Sequence, residues 1–167
     1  MLVEAIASKI TKKEAMKYIL SKTPLMSKVA QFNKSAKDIH LEYIEFKILS
    51  YEVIIKEKQS VFFRYEKKKY NITMLVNTYN GYSESIEIIP NTSKKYIAKS
   101  FIKKSKVREE DIIEGVKTQI IYFLGENLKP EKIENLNIED ISVKEIRSIY
   151  KPYWVADFNG KTILMDA

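Results

Sequence analysis

Hydrophobic and polar positions along the chain change period more than once, and the changes separate helical from extended stretches. Near the start, Thr11-Lys-Lys-Glu14 has capping-box spacing, in which a hydroxyl and a carboxylate each satisfy a free amide at a helix start. Ala15, Ile19 and Leu20 then share one helical face. Thr23-Pro24 predicts a second helix or a kink, with Leu25, Val29 and Phe32 as its buried side. From Phe46 the period falls to two. Leu49, Tyr51, Val53 and Ile55 alternate with mostly polar partners, the pattern of a half-buried strand. Val61, Phe63 and Tyr65 alternate again, then Tyr70, Ile72, Met74 and Val76. Asn80-Gly81 signals a turn, Ile86 and Ile88 share a face of the next strand, and Pro90-Asn-Thr-Ser93 ends it. These short connections predict a meander of about four antiparallel strands.

The helical period returns from Ser105 to Asn127. Glu109, Glu110 and Asp111 crowd the first turn, where the helix dipole favours negative charge. Ile112, Val116, Ile120, Phe123 and Leu124 form one apolar stripe, Gly125 and Asn127 suit the end, and Pro130 prevents continuation. A polar stretch, Glu131 to Asp140, precedes Ile141. Tyr153 to Phe158 and Thr162 to Met165 then read as a hairpin turned at Asn159-Gly160, with Pro152 near the beginning of its first strand.

Compared with itself, the chain gives one ungapped match, Ser35–Tyr51 against Ser142–Phe158. Ser35/Ser142, Lys37/Lys144, Ile39/Ile146 and Tyr43/Tyr150 are identical, and Phe46/Tyr153, Ile48/Val155 and Tyr51/Phe158 are conservative. Each copy follows a helix and a proline, Pro24 or Pro130. The expected fold is therefore α+β, with two related helix-plus-antiparallel-sheet units, residues 1–100 and a shorter 101–167. A helix on a lone hairpin buries too little apolar surface to stand alone, so the units are expected to share one core and form one compact domain.

Tyr51-Glu-Val53, Val76-Asn-Thr-Tyr-Asn-Gly81 and Gly160-Lys-Thr-Ile-Leu-Met-Asp-Ala167 resemble the motifs of the PepSY domain, with its cystatin-like helix on a sheet. The first copy departs from that pattern, with Asn77-Thr78 where the family has Asp-Ala. The resemblance implies a peptide-binding or inhibitory module, and it carries no catalytic residue.

Composition narrows the chemistry. Among 167 residues, 45% are hydrophobic, which is too many for a disordered chain. The absence of cysteine excludes disulfides, thiolate metal sites and cysteine nucleophiles. No apolar run spans a bilayer, and MLVEAIASKITKKE lacks a secretory pattern, so a cytoplasmic location without membrane insertion is expected. His40 is the single histidine and cannot anchor a common zinc site alone. No nucleophile elbow, phosphate loop or dinucleotide fingerprint occurs, so neither a catalytic set nor a cofactor is expected.

The net charge of +7 raises the question of a polyanionic partner. Arg64-Tyr-Glu-Lys-Lys-Lys69 is the densest run and reads as a hairpin tip; Lys94, Lys95, Lys99, Lys103, Lys104 and Lys106 form a looser cluster. Lysines at strand edges also block sheet-to-sheet association. The adjacent pairs Phe62/Phe63 and Tyr153/Trp154 must point to opposite faces of a strand, which leaves one of each for a partner or for a two-sided core. The leading expectation is a non-catalytic module that takes a protein or peptide on an aromatic sheet face or edge. Its candidate contacts are Phe62, Phe63, Arg64, Tyr65, Lys67, Lys68, Lys69, Tyr70, Tyr153 and Trp154. The alternative is single-stranded nucleic acid on residues 62–70, lysines meeting phosphates and tyrosines stacking on bases. Open sheet edges also admit association between copies of the chain.

Overall fold

The computed structural model describes residues 1–21, 39–58, 65–127, 136–158 and 161–167. It is an α+β fold in which sheet predominates. In chain order the elements are β1 (Leu2–Ala5), α1 (Lys12–Ser21), β2 (His40–Lys58), β3 (Tyr65–Asn77), β4 (Ser83–Ser85) and β5 (Ser93–Tyr96). A 3-10 turn at Lys99–Phe101, β6 (Ile102–Lys103), α2 (Glu109–Asn127), β7 (Leu136–Phe158) and β8 (Lys161–Asp166) follow. The second helix expected over Thr23–Phe32, Phe62, Phe63 and Arg64, Pro130 and the Asn159-Gly160 turn lie outside the described residues.

The compact units do not divide the chain at residue 100. One unit comprises Met1–Glu45, Pro90–Lys104 and Ile149–Ala167, and the other comprises Phe46–Ile89 and Ser105–Ser148. The reason is strand length. β2 and β7 are 19 and 23 residues long, and each contributes its first part to one unit and its second part to the other.

In the second unit β4, β3 and β2 are successive antiparallel neighbours, and β7 follows β2 in the sheet order. The β2–β3 register sets Leu49 opposite Met74, Tyr51 opposite Ile72 and Val53 opposite Tyr70. Because side chains alternate, this register turns Leu49, Tyr51, Val53, Ile55, Met74 and Val76 to one face. All six are buried there against Ile112, Val116, Ile120 and Leu124 of α2. The i, i+4 spacing of the helix side puts its branched side chains in a single row. Tyr51 closes the layer, its hydroxyl donating to the Ile113 carbonyl at 2.9 Å; burial pushes its pKa up to about 12.

Several expectations need correction here. Tyr65–Lys69, the described part of the Arg64–Lys69 run, is no hairpin tip: from Tyr65 the chain is already in β3, with Lys56 opposite Lys67 and Ile54 opposite Lys69. Ile86 and Ile88 do not form a strand, because β4 stops at Ser85 and Ile88 is exposed. The meander is three consecutive strands, and the next strand, β5, belongs to the other unit. Phe123 is half exposed on α2, one position off the buried i, i+4 row. Pro152 lies well inside β7 rather than near its beginning. It is tolerated because it sits just past the last β7–β8 register pair, Tyr153 with Asp166, with its carbonyl accepting from Ala167 N–H at 3.2 Å.

In the first unit β1 pairs antiparallel with β5 and meets β7 in parallel at Ala5 and Tyr150. β8 pairs antiparallel with β7, and β6 runs parallel beside Tyr43 and Ile44 of β2. The capping box forms: Thr11 N–H donates to Glu14 Oε2 at 2.8 Å and Glu14 N–H to Thr11 Oγ1 at 3.4 Å. Ile19 of α1 packs with Ile39 and Ala156, flanked by Met16, Trp154 and Ile163. Thus α1 sits on the hairpin β7–β8, and α2 on the hairpin β2–β3, each helix on strands distant in sequence.

Candidate functional site

The two lysine clusters occupy different surroundings. In β3, cross-strand positions place Lys67 and Lys69 on the face opposite the buried row. Glu139 accepts from Lys56 at 2.9 Å and from Lys67 at 2.9 Å. Glu52 pairs with Lys69 and, at 3.4 Å, with Lys144. Hydrogen bonds from Lys69 and from Lys56, respectively, hold the Glu52 and Glu139 carboxyls below their ordinary value. Glu52 meets Lys69 from the adjacent strand β2, and Glu139 of β7 meets both Lys56 of β2 and Lys67 of β3. Lys67 and Lys69 are therefore parts of an ion-pair ladder. Tyr70 borders the buried face and is partly exposed.

Ser93 to Lys106 carries six lysines and no carboxylate. Lys103 meets Glu42 at 3.2 Å, and Lys106 lies over the Tyr79 ring at 4.1 Å. Lys94, Lys99 and Lys104 are exposed and make no ion pair among the described residues.

Hydrogen bonds at the chain start fix which backbone groups of β5 face outward. The Met1 amino group donates to the Ile97 carbonyl at 2.8 Å, and Ile97 N–H returns a bond to the Met1 carbonyl at 2.9 Å. In an antiparallel pair, residues that exchange both bonds alternate with residues that exchange none. With Leu2 opposite Tyr96 and Glu4 opposite Lys94, those two β5 residues turn their N–H and C=O away from β1. Among the described residues β5 pairs with β1 alone and ends the sheet order. Its four residues are all exposed, Tyr96 at 81%.

Beside this edge lies a groove of about 370 Å³. Leu41, Ile97, Ala98 and Phe101 supply its apolar lining, and Tyr43, Lys95 and Tyr96 its polar and aromatic rim. The 3-10 turn after β5 brings Phe101 to this position, 47% exposed. Lys95 shares the face of buried Val3, and its Nζ donates to Tyr43 Oη at 2.8 Å. Other hollows are less suited to recognition. One of about 220 Å³ beside α2, bordered by Met74, Ile120 and Phe123, carries the acidic Glu84 and no basic residue in its lining. In another, of about 400 Å³, Lys151 is already paired with Asp166 at 2.5 Å.

No protein-family model matches the chain, and no curated protein or solved structure matches it.

Of the candidate contacts, Trp154 is partly buried with α1, and its indole N–H donates to the Ile10 carbonyl at 2.9 Å. Tyr153 is partly buried next to Lys151, and burial raises its pKa. Tyr65 lies at the start of β3, paired with Lys58. Lys68 sits opposite Ile55, on the buried face. The Val76–Gly81 motif holds the entry to α2: the Thr78 carbonyl accepts from Lys106 and Val107 N–H at 3.1 and 3.2 Å. Gly81 adopts φ +76°, the left-handed turn that favours glycine. His40 Nε2 lies 3.0 Å from Glu42 Oε1 at the start of β2, and no metal-holding cluster occurs among the described residues. No described helix is long and apolar enough to cross a membrane. Sequence reading named Lys94 and Lys95 but not Tyr96, Phe101, Leu41 or Tyr43 as parts of one surface. The available signal was the acid-free run Ser93–Lys106.

Proposed function

We propose that the chain is a non-catalytic binding module that takes an extended, acidic peptide segment as an added strand on β5. The observation that carries this reading is the outward N–H and C=O groups of Lys94 and Tyr96 next to an apolar groove and unpaired lysines. An open edge recognises an extended chain through backbone hydrogen bonds, and flanking pockets read alternate side chains. Lysines on such an edge discourage indiscriminate sheet pairing, so an acidic strand is the one that gains on approach. A PepSY-like role in peptide binding agrees with this use. The exchanged helix–hairpin packing, α1 on β7–β8 and α2 on β2–β3, supports descent from a duplicated helix-plus-hairpin.

The test uses acetylated, amidated eight-residue peptides alternating valine and threonine, with glutamate moved through each position. Calorimetry with the full chain should find at least one binder. Tyr96→Pro removes the outward amide as well as the rim ring but breaks no bond to β1, and should bind that peptide about tenfold or more weaker than Tyr96→Ala, which loses the ring alone. No binder in the set, binding by Tyr96→Pro undiminished from that by Tyr96→Ala, or displacement of the peptide by oligothymidylate would overturn the proposal.

A further inference from the structure

We infer that Lys95 and Tyr43 form a carboxylate-reading pocket, which selects a glutamate or aspartate side chain on the docked strand. This rests on the strand-addition reading above and adds its specificity. Tyr43 is 5% exposed, so its hydroxyl is screened from bulk water. The oxygen accepts from Lys95 Nζ, and the hydroxyl proton has no acceptor among the described residues. A buried tyrosine hydroxyl ordinarily finds partners, and this one has an unused donor beside a groove. An ammonium carries three hydrogens, of which Tyr43 engages one. The pair therefore presents hydrogens and no free acceptor. A carboxylate, which only accepts, satisfies it, while the NH₂ of an amide would meet further donors.

Geometry places the side chain that is read. Docking uses the outward groups of Lys94 and Tyr96, so the ligand residue beside Lys95 is the one that can project to the groove face. Its stem would cross Leu41, Ile97 and Phe101, and its end would meet Lys95 Nζ and Tyr43 Oη. Glycine or alanine at that ligand position leaves the groove unfilled. Lysine there sets a second ammonium against Lys95.

The probe is the best glutamate peptide of the set above and its glutamine analogue, both blocked at their ends so that one carboxylate distinguishes them. Wild-type protein should prefer glutamate by about tenfold, the range of one charge-assisted bond over a neutral one. In Tyr43→Phe and in Lys95→Met the preference should fall to about twofold or less. The urea midpoint should show that both variants keep the fold, and the glutamine peptide should lose less affinity than the glutamate peptide. Equal wild-type affinity for the two peptides, or an undiminished preference in both variants, overturns the pocket alone. Loss of the glutamine peptide by both variants makes the pair structural and also overturns it. Failure of both peptides on wild type overturns strand docking and the pocket together.

Discussion

Lys67 and Lys69 on β3 and Lys94, Lys99 and Lys104 on the segment from β5 onward carry the same charge in contrasting surroundings. The β3 lysines lie on the sheet face beside β2, where Glu52 of that strand and Glu139 of β7, one strand further on, pair with them. The later lysines lie on an edge and the turns after it, within an acid-free run, and none forms an ion pair among the described residues. Local density in sequence thus misleads about available charge. Pairing depends on what the neighbouring strands bring. The tighter run serves the sheet face, and in the looser run Lys94, Lys99 and Lys104 make no ion pair among the described residues.

Charge reversal is the strongest way to break this comparison. The triple variant Lys94→Glu, Lys99→Glu, Lys104→Glu should abolish measurable binding of the glutamate peptide by calorimetry, a loss on the order of a hundredfold or more, because three attractive charges become repulsive ones. The double variant Lys67→Glu, Lys69→Glu should leave that affinity within about twofold, since these side chains belong to the ladder. Stability should respond the other way. Reversal on β3 sets like charges against Glu139 and Glu52 and should lower the urea midpoint, whereas the triple variant should leave it nearly unchanged.

Acid titration sharpens the same contrast with a smaller effect. Both carboxyls of the ladder have folded pKa values below the ordinary 4.5, through hydrogen bonds from Lys69 to Glu52 and from Lys56 to Glu139. A carboxyl with a depressed folded pKa binds its proton more readily when unfolded. Its stabilisation is therefore present above 4.5 and lost as pH falls through the lower folded value. In urea melts below that pH, Glu52→Gln with Glu139→Gln should lose less stability on acidification than wild type. Parallel curves for the two proteins would show that the ladder does not contribute.

The framework of the second unit was legible because burial there follows period. Leu49 to Ile55 and Tyr70 to Val76 alternate, and Ile112, Val116, Ile120 and Leu124 recur every four residues, so one face of each element announces itself. The Thr11–Glu14 box and the Asn80-Gly81 turn were equally readable, since their chemistry is local. The candidate site was not. β5 is Ser-Lys-Lys-Tyr, exposed at every position, and β1 has four residues, too few to display alternation. Such strands exist by virtue of their neighbours. The contribution of Tyr43 from β2 and Phe101 from the turn before β6 depends on packing over long sequence separation. The interleaving of units has the same origin, for no local signal marks the passage of β2 or β7 from one unit to the other.

The central claim is that the outward groups of β5 are the docking surface. Amide-resolved NMR of the full chain, titrated with the best glutamate peptide, tests it most directly. The account predicts the largest shifts and new protection from hydrogen exchange at the amides of Lys94 and Tyr96, with Lys67 to Tyr70 unmoved. Shifts centred on Lys67 to Tyr70 or on α2, with Lys94 and Tyr96 still exchanging freely, would contradict it.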